Sequence, residues 1–156
     1  MIQARPVRRR PVHQAVFDRR GRSPIVFVTV CTAKRQRILA NPAAATLLQR
    51  AWHAAQAWQV GRYVVMPDHV HLFCSPAVDT ELRNWVHFWK AYVTRRWMDH
   101  AQRPLWQTGF WDTQLRGNET YAAKWEYVRF NPVRHGLVHQ PESWPFQGEL
   151  NVLSWD

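Results

Sequence analysis

From Ser23 to Thr32 the chain reads SPIVFVTVCT, a β-branched and aromatic run behind a Gly-Arg-Ser-Pro break. That pattern predicts a first strand, central in a sheet. Asn41-Pro42 opens a helix with Pro42 at its first position, and an Ala-, Leu- and Gln-rich run carries it to about Trp58. VGRYVVM (60–66) predicts a second strand, Pro67-Asp68 a tight turn, and HVHLFCS (69–75) a third strand paired back on the second. From Asp79 to about His100 the period becomes helical. Leu82, Trp85, Val86, Trp89, Val93 and Trp97 form an apolar stripe, and Arg83, His87, Lys90 and Thr94 form a polar one. After the Arg103-Pro104 break, FWDTQLR (110–116) alternates and ends at Gly117, which predicts a fourth strand. Asn118 is the expected cap of a last helix, ETYAAKWEYVRFN, stopped by Pro132.

The order β-α-β-β-α-β-α contains no repeat and no linker long enough to divide it. Its first six elements predict an α+β, ferredoxin-like βαββαβ antiparallel sheet with helices on one face. The second face is left for a site, and the additional C-terminal helix covers part of it.

Composition refines this reading. At 156 residues and 46% hydrophobic, the chain is one globular domain, residues 23–156, behind a basic arm at 1–22. Ten tryptophans exceed the needs of so small a core, which places some of them on a surface that stacks or grips a partner. No window approaches the roughly 18 to 20 apolar residues of a membrane span, and the Arg-rich start lacks the apolar stretch of a secretory signal, so the expected location is the cytoplasm and no membrane is involved. Cys31 and Cys74 lie in apolar runs, as reduced core residues do.

The formal net charge is +10, which points to a polyanionic partner. Seven arginines against Asp18 give the arm +6 of that, leaving about +4 on the body. Arg8, Arg9 and Arg10 belong either to a solvated tail or to a nucleic-acid arm.

Candidate chemistry centres on MPDHVHLF (66–73). In a strand, positions i and i+2 share a face, so His69 and His71 point the same way and offer one divalent ion two imidazoles. By itself an HxH pair is weak evidence for a metal, and more often a pair of histidines that a strand happens to carry. Tyr127 and Asn131 are spaced i, i+4, which on one helix converges them on a single point. An amide oxygen is a hard, neutral ligand and a phenol beside a metal-bound phosphate is a nucleophile; the bland alternative is an aromatic packing residue and a helix end. Tyr63 lies in a strand, Tyr92 beside the apolar stripe, and Tyr121 has no amide four residues on.

VVMPDHVHLF, LWQTGFWDTQLR and EYVRFNPVRHGLV, in this order and spacing, resemble the REP-associated tyrosine transposases, in the single-tyrosine branch of the HUH endonuclease and transposase superfamily. The similarity runs from about Val26 to Phe146. It implies a ferredoxin-like domain that nicks and rejoins single-stranded or hairpin DNA, keeping the 5′ end as a phosphotyrosine, with Mg²⁺ or Mn²⁺ as cofactor. Matched by position, His69 and His71 are the metal-binding pair, Asn131 is the third ligand and Tyr127 is the nucleophile. The DNA is expected to be a hairpin from repetitive extragenic palindromes, and this branch is generally monomeric. Arg83, Lys90, Arg95 and Arg96 then become candidate phosphate contacts, with the arginines of the arm. Two departures stand out. Asp112 and Thr113 fall where relatives often have Glu-His, and Ser75 is not the histidine of relaxase-type members. A hairpin-binding protein that keeps the fold without turnover is the alternative, and a zinc hydrolase using the HxH pair is a remote third option.

Overall fold

The computed structural model describes residues 23–154; the proposed basic arm, with Arg8, Arg9 and Arg10, lies outside the described residues. Four strands, β1 (Ile25–Cys31), β2 (Trp58–Val65), β3 (His69–Pro76) and β4 (Trp111–Leu115), form one antiparallel sheet in the order β4-β1-β3-β2. A three-residue strand, β5 (Gln147–Glu149), extends the sheet beside β2. The ferredoxin-like α+β expectation therefore holds, with one strand more than the sequence pattern predicts. QGE carries no alternating apolar signal. Its place is secured by backbone contacts alongside Val65, whose N–H donates to the Phe146 carbonyl at 2.8 Å.

The residues of each strand divide by parity between two interiors. Val26, Val28 and Val30 of β1 join Val70, Leu72 and Cys74 of β3 on the face covered by helices α1 (Pro42–Ala54) and α2 (Leu82–Arg96). The Asn41 side chain caps α1 by accepting from the Ala44 N–H at 2.9 Å. Leu82, Trp85, Val86, Trp89 and Val93 of α2 are buried as the stripe predicts, and Trp97 follows the helix as its cap. α1 stops at Ala54, not near Trp58: Trp58 starts β2 and donates its indole N–H to the Thr80 carbonyl at 2.8 Å.

Most of the tryptophans serve packing. Trp52, Trp58, Trp85, Trp89 and Trp144 are buried, and among the described residues Trp111 is the exposed one, at 37%. The surplus over an ordinary core is taken up by a cluster of edge-to-face rings, including Trp52 on Trp89 and Trp89 on Trp106. Cys31 and Cys74 are buried and outside any disulfide.

On the opposite face, Ile25, Phe73 and Val64 pack with Tyr121 and Val128 of helix α3 (Asn118–Val128) and with Trp144. Gly61 permits this approach: a Cβ there would lie 2.6 Å from the Leu153 side chain and 2.8 Å from the Tyr121 hydroxyl. Two expectations for the last helix are corrected. Gly117, with extended backbone, precedes the helix, and Asn118 is its first residue rather than its cap. The helix also ends at Val128, and Asn131 begins a separate short helix, α4 (Asn131–Arg134), with Pro132 in its first turn. Pro132 has no N–H to donate to a preceding turn, so it starts a helix more readily than it continues one.

Candidate active site

The β2–β3 hairpin delivers the two histidines. Its turn closes with the Met66 N–H on the His69 carbonyl at 2.8 Å, and Thr32 grips it from β1's end through bonds to the Asp68 carbonyl. Strand parity puts His69 and His71 on the α3 side of the sheet, with Nε2 atoms 3.1 Å apart. Two nitrogens bound at right angles about 2.1 Å from one ion would be separated by about 3.0 Å, so this spacing fits a shared cation.

Each ring is aimed through its other nitrogen. Asp68 Oδ1 accepts from His69 Nδ1 at 2.8 Å, which leaves the Nε2 lone pair toward His71. Asp68 is itself held by Arg35, whose Nε donates to Oδ2 at 2.9 Å. Arg35 and Lys34 both have positive φ, near 54° and 55°, a costly conformation sustained here by contacts around the turn. On His71, Nδ1 shares a 2.8 Å hydrogen bond with Thr29 Oγ1, its register partner on β1, and Phe27 stacks on the ring.

Asn131 completes the group from α4. It is buried, and its amide lies 3.2 Å from His69 Nε2. A half-turn of the amide exchanges its nitrogen for its oxygen at that position, the donor a hard cation requires. His135 Nδ1 donates to the Asn131 carbonyl at 2.9 Å, fixing α4's short turn beside His69. Two imidazoles and an amide are neutral, matching a divalent ion whose remaining partner is an anion. Among the described residues there is no group of three or more His, Cys, Asp or Glu side chains that could hold a metal ion.

Burial disfavours the charged form of both imidazoles. It pushes His71 down to about 3, with repulsion from His69, Lys124 and Arg134 adding to the effect. It also lowers His69, although the bond and charge of Asp68 oppose it. Asp68 is raised by burial, but its bonds to His69 and Arg35 outweigh that and hold it below the usual carboxylate range.

Tyr127, on the last turn of α3, is 62% exposed. It does not stack above Asn131 on one helix, because the chain turns between Val128 and Asn131: the tyrosine faces outward and the amide inward. Arg134 stacks 4.0 Å over the Tyr127 ring and donates Nη1 to the Tyr127 carbonyl at 2.8 Å. Lys124 Nζ lies 5.8 Å over the same ring and 4.8 Å over Phe27, the ring that stacks on His71. The other tyrosines have structural partners. Tyr63 bonds Gln49, the Tyr121 hydroxyl accepts from the Arg62 N–H, and Tyr92 lies under Arg96.

The α2 cations are placed differently. α2 covers the sheet face away from the histidines, and Arg83, Arg95 and Arg96 project to its exposed side. Lys90 bonds the carbonyls of Gln107 and Gly109 at 2.9 and 3.1 Å, and burial lowers it to about 8. Sequence reasoning missed Asp68 as an orienting group, Thr29, Arg35, Lys124 and Arg134. A signal existed for two: Asp68 adjoins His69, and Lys124 lies one turn before Tyr127.

The chain is 30% identical over 93 residues to the REP-associated tyrosine transposase of Escherichia coli K12, 57% of this chain and 53% of that one. It is 27% identical over 94 residues to a putative REP-associated tyrosine transposase of Haemophilus influenzae, again 53% of the relative. The chain thus matches about half the length of these curated relatives. A solved structure of a REP-associated tyrosine transposase bound to a REP hairpin shares the fold at a TM-score of 0.69 and 24% identity, covering 81% of this chain and 76% of that one. A putative transposase from Deinococcus radiodurans R1 does so at 0.51 and 21% identity, over 67% and 87% of the two chains. No helix among the described residues is long and apolar enough to cross a membrane. The family model described as "Transposase IS200 like" matches residues 24–129, which include His69, His71 and Tyr127, and the chain belongs to that family.

Proposed function

We propose that this chain is a metal-dependent nickase and strand transferase for single-stranded DNA beside a hairpin, working through a 5′-phosphotyrosine on Tyr127. Membership of the family supports a transposase or nuclease role in general, and such transposases are generally metal-dependent. The observation that carries the finer reading is the convergence of His69 Nε2, His71 Nε2 and the Asn131 amide within 3.2 Å of one another's nearest member.

His69, His71 and Asn131 would hold Mg²⁺ or Mn²⁺, which supplies Lewis-acid polarisation of the phosphate and stabilises charge on its oxygens. The Tyr127 Oη attacks phosphorus, the bond from phosphorus to the 3′ oxygen breaks, and the tyrosine retains the 5′ phosphate. The phenolic proton leaves and the departing 3′ oxygen takes one up. Attack by that 3′-OH on the phosphotyrosine reverses the exchange, so rejoining needs no external energy. Exposure of Tyr127 gives a DNA strand access, and the buried ligands stay fixed. The solved relative's hairpin supports hairpin DNA as the partner, and a monomer acting in the cytoplasm suffices for this chemistry.

The test is a denaturant-resistant protein–DNA adduct on hairpin DNA with single-stranded flanks. It should form with Mg²⁺ or Mn²⁺, disappear with chelator, and be absent in Tyr127→Phe. Tight hairpin binding with no adduct in either metal would instead establish the binding protein without turnover.

A further inference from the structure

The basic side chains around α3 and α4 divide into two kinds. Arg129 bonds Glu126 and Glu142, Arg62 bonds Glu149, and Arg35 bonds Asp68. Lys124 and Arg134 have no carboxylate partner among the described residues, and both lie against Tyr127. Lys124 is partly buried, with its ammonium 4.8 Å from the Phe27 ring and 5.8 Å from the Tyr127 ring. Arg134 commits Nη1 to the Tyr127 carbonyl, which leaves further N–H groups of its planar fork for an acceptor. Phe27, the ring under the Lys124 ammonium, is also the ring that stacks on His71, so Lys124 lies beside the histidine as well as beside Tyr127. The neutral ligand set adds no negative charge to offset them. A cluster of this composition lacks an anion.

We infer that Lys124 and Arg134 seat the scissile phosphodiester of the DNA, gripping its non-bridging oxygens beside Tyr127 and His71. This rests on the function proposed above. The two residues recognise the charged linkage and not a base, so they act at the cut position whatever the neighbouring nucleotides. Ring stacking by Arg134 also ties the position of Tyr127 to the guanidinium that binds the phosphate.

A chemical double-mutant cycle tests this in the full chain. Wild-type protein with Mn²⁺ is first offered hairpin DNA with randomised single-stranded flanks, and sequencing the trapped adduct locates the cut linkage. Oligonucleotides are then made with either phosphate or uncharged methylphosphonate at that linkage. Affinities are measured by fluorescence anisotropy for Tyr127→Phe alone and for Tyr127→Phe carrying Lys124→Gln, Arg134→Gln or both. Neutralising the one phosphate should weaken binding about tenfold in the parent and less than about twofold when both cations are gone. Lys124→Arg, which retains the charge, should restore most of the difference. Equal losses in parent and double variant would overturn the phosphate seat while leaving the adduct, and therefore the proposed function, intact. Failure of the wild-type chain to form any adduct across the library would overturn both.

Discussion

On the helix-covered face of the sheet, Val26, Val28, Val30, Val70 and Leu72 pack against Trp52, Trp85 and Trp89. From the same two strands, Thr29, His69 and His71 point the other way, into a smaller interior shared with Phe73 and α3. The difference is one of bonding as well as polarity. The first interior is held mainly by contact area, and the indole N–H groups of Trp52 and Trp89 are buried with no acceptor among the described residues. On the second, each imidazole is aimed by a named partner. A strand that is rigid because one side is fully packed thus fixes the separation of two imidazoles on its other side. A slip of one residue would exchange the two sets, so the apolar face enforces the register the site requires.

The largest expected effect separates stability from chemistry. Trp89→Ala, in the dry interior, should cost about 3–5 kcal/mol in urea unfolding. Tyr127→Phe, on the exposed end of α3, should stay within about 0.5 kcal/mol of wild type. The contrast collapses if the tyrosine variant unfolds as early as the tryptophan one.

The strand that carries the histidines was legible because alternation and a Pro-Asp turn determine which way its side chains point. Helix α2 was legible for the same kind of reason, a stripe five residues deep. What lay beyond reach was the destination of groups whose partners are distant in sequence. Lys90 reads as a phosphate contact on a polar stripe, yet its ammonium satisfies two loop carbonyls seventeen and nineteen residues on. The i, i+4 spacing of Tyr127 and Asn131 assumed one continuous helix. With the break at Val128, the two sit on different elements, one exposed and one buried. The tryptophan count could not tell an edge-to-face core from a stacking surface, because both use the same ring.

An intermediate effect concerns Asp68, which orients His69 without needing to touch an ion. Asp68→Ala should weaken Mn²⁺ binding about 10- to 100-fold, read by calorimetry or by the EPR signal of free Mn²⁺. Unchanged affinity would show that the hairpin alone orients the ring, and that the site face is as independent of its polar partners as the helix face.

The smallest effect is a slope. Free histidine has a pKa near 6.5, and burial holds His71 at about 3, with His69 also lowered. As pH falls below about 6.5, the unfolded chain takes up protons at these positions while the folded chain does not. The unfolded state then binds more protons, so stability declines with falling pH from about 6.5 toward about 3. Carboxylates join at the acid end, so pH 6.5 to 5 isolates the histidines. In chelator, urea midpoints over that range should fall for wild type, and less steeply for His71→Phe, by about the contribution of one proton. Trp89→Phe, a change confined to the dry face, should keep the wild-type slope. If His71→Phe keeps it too, the imidazole is not held neutral by its surroundings, and the polar face would then owe its geometry to packing alone.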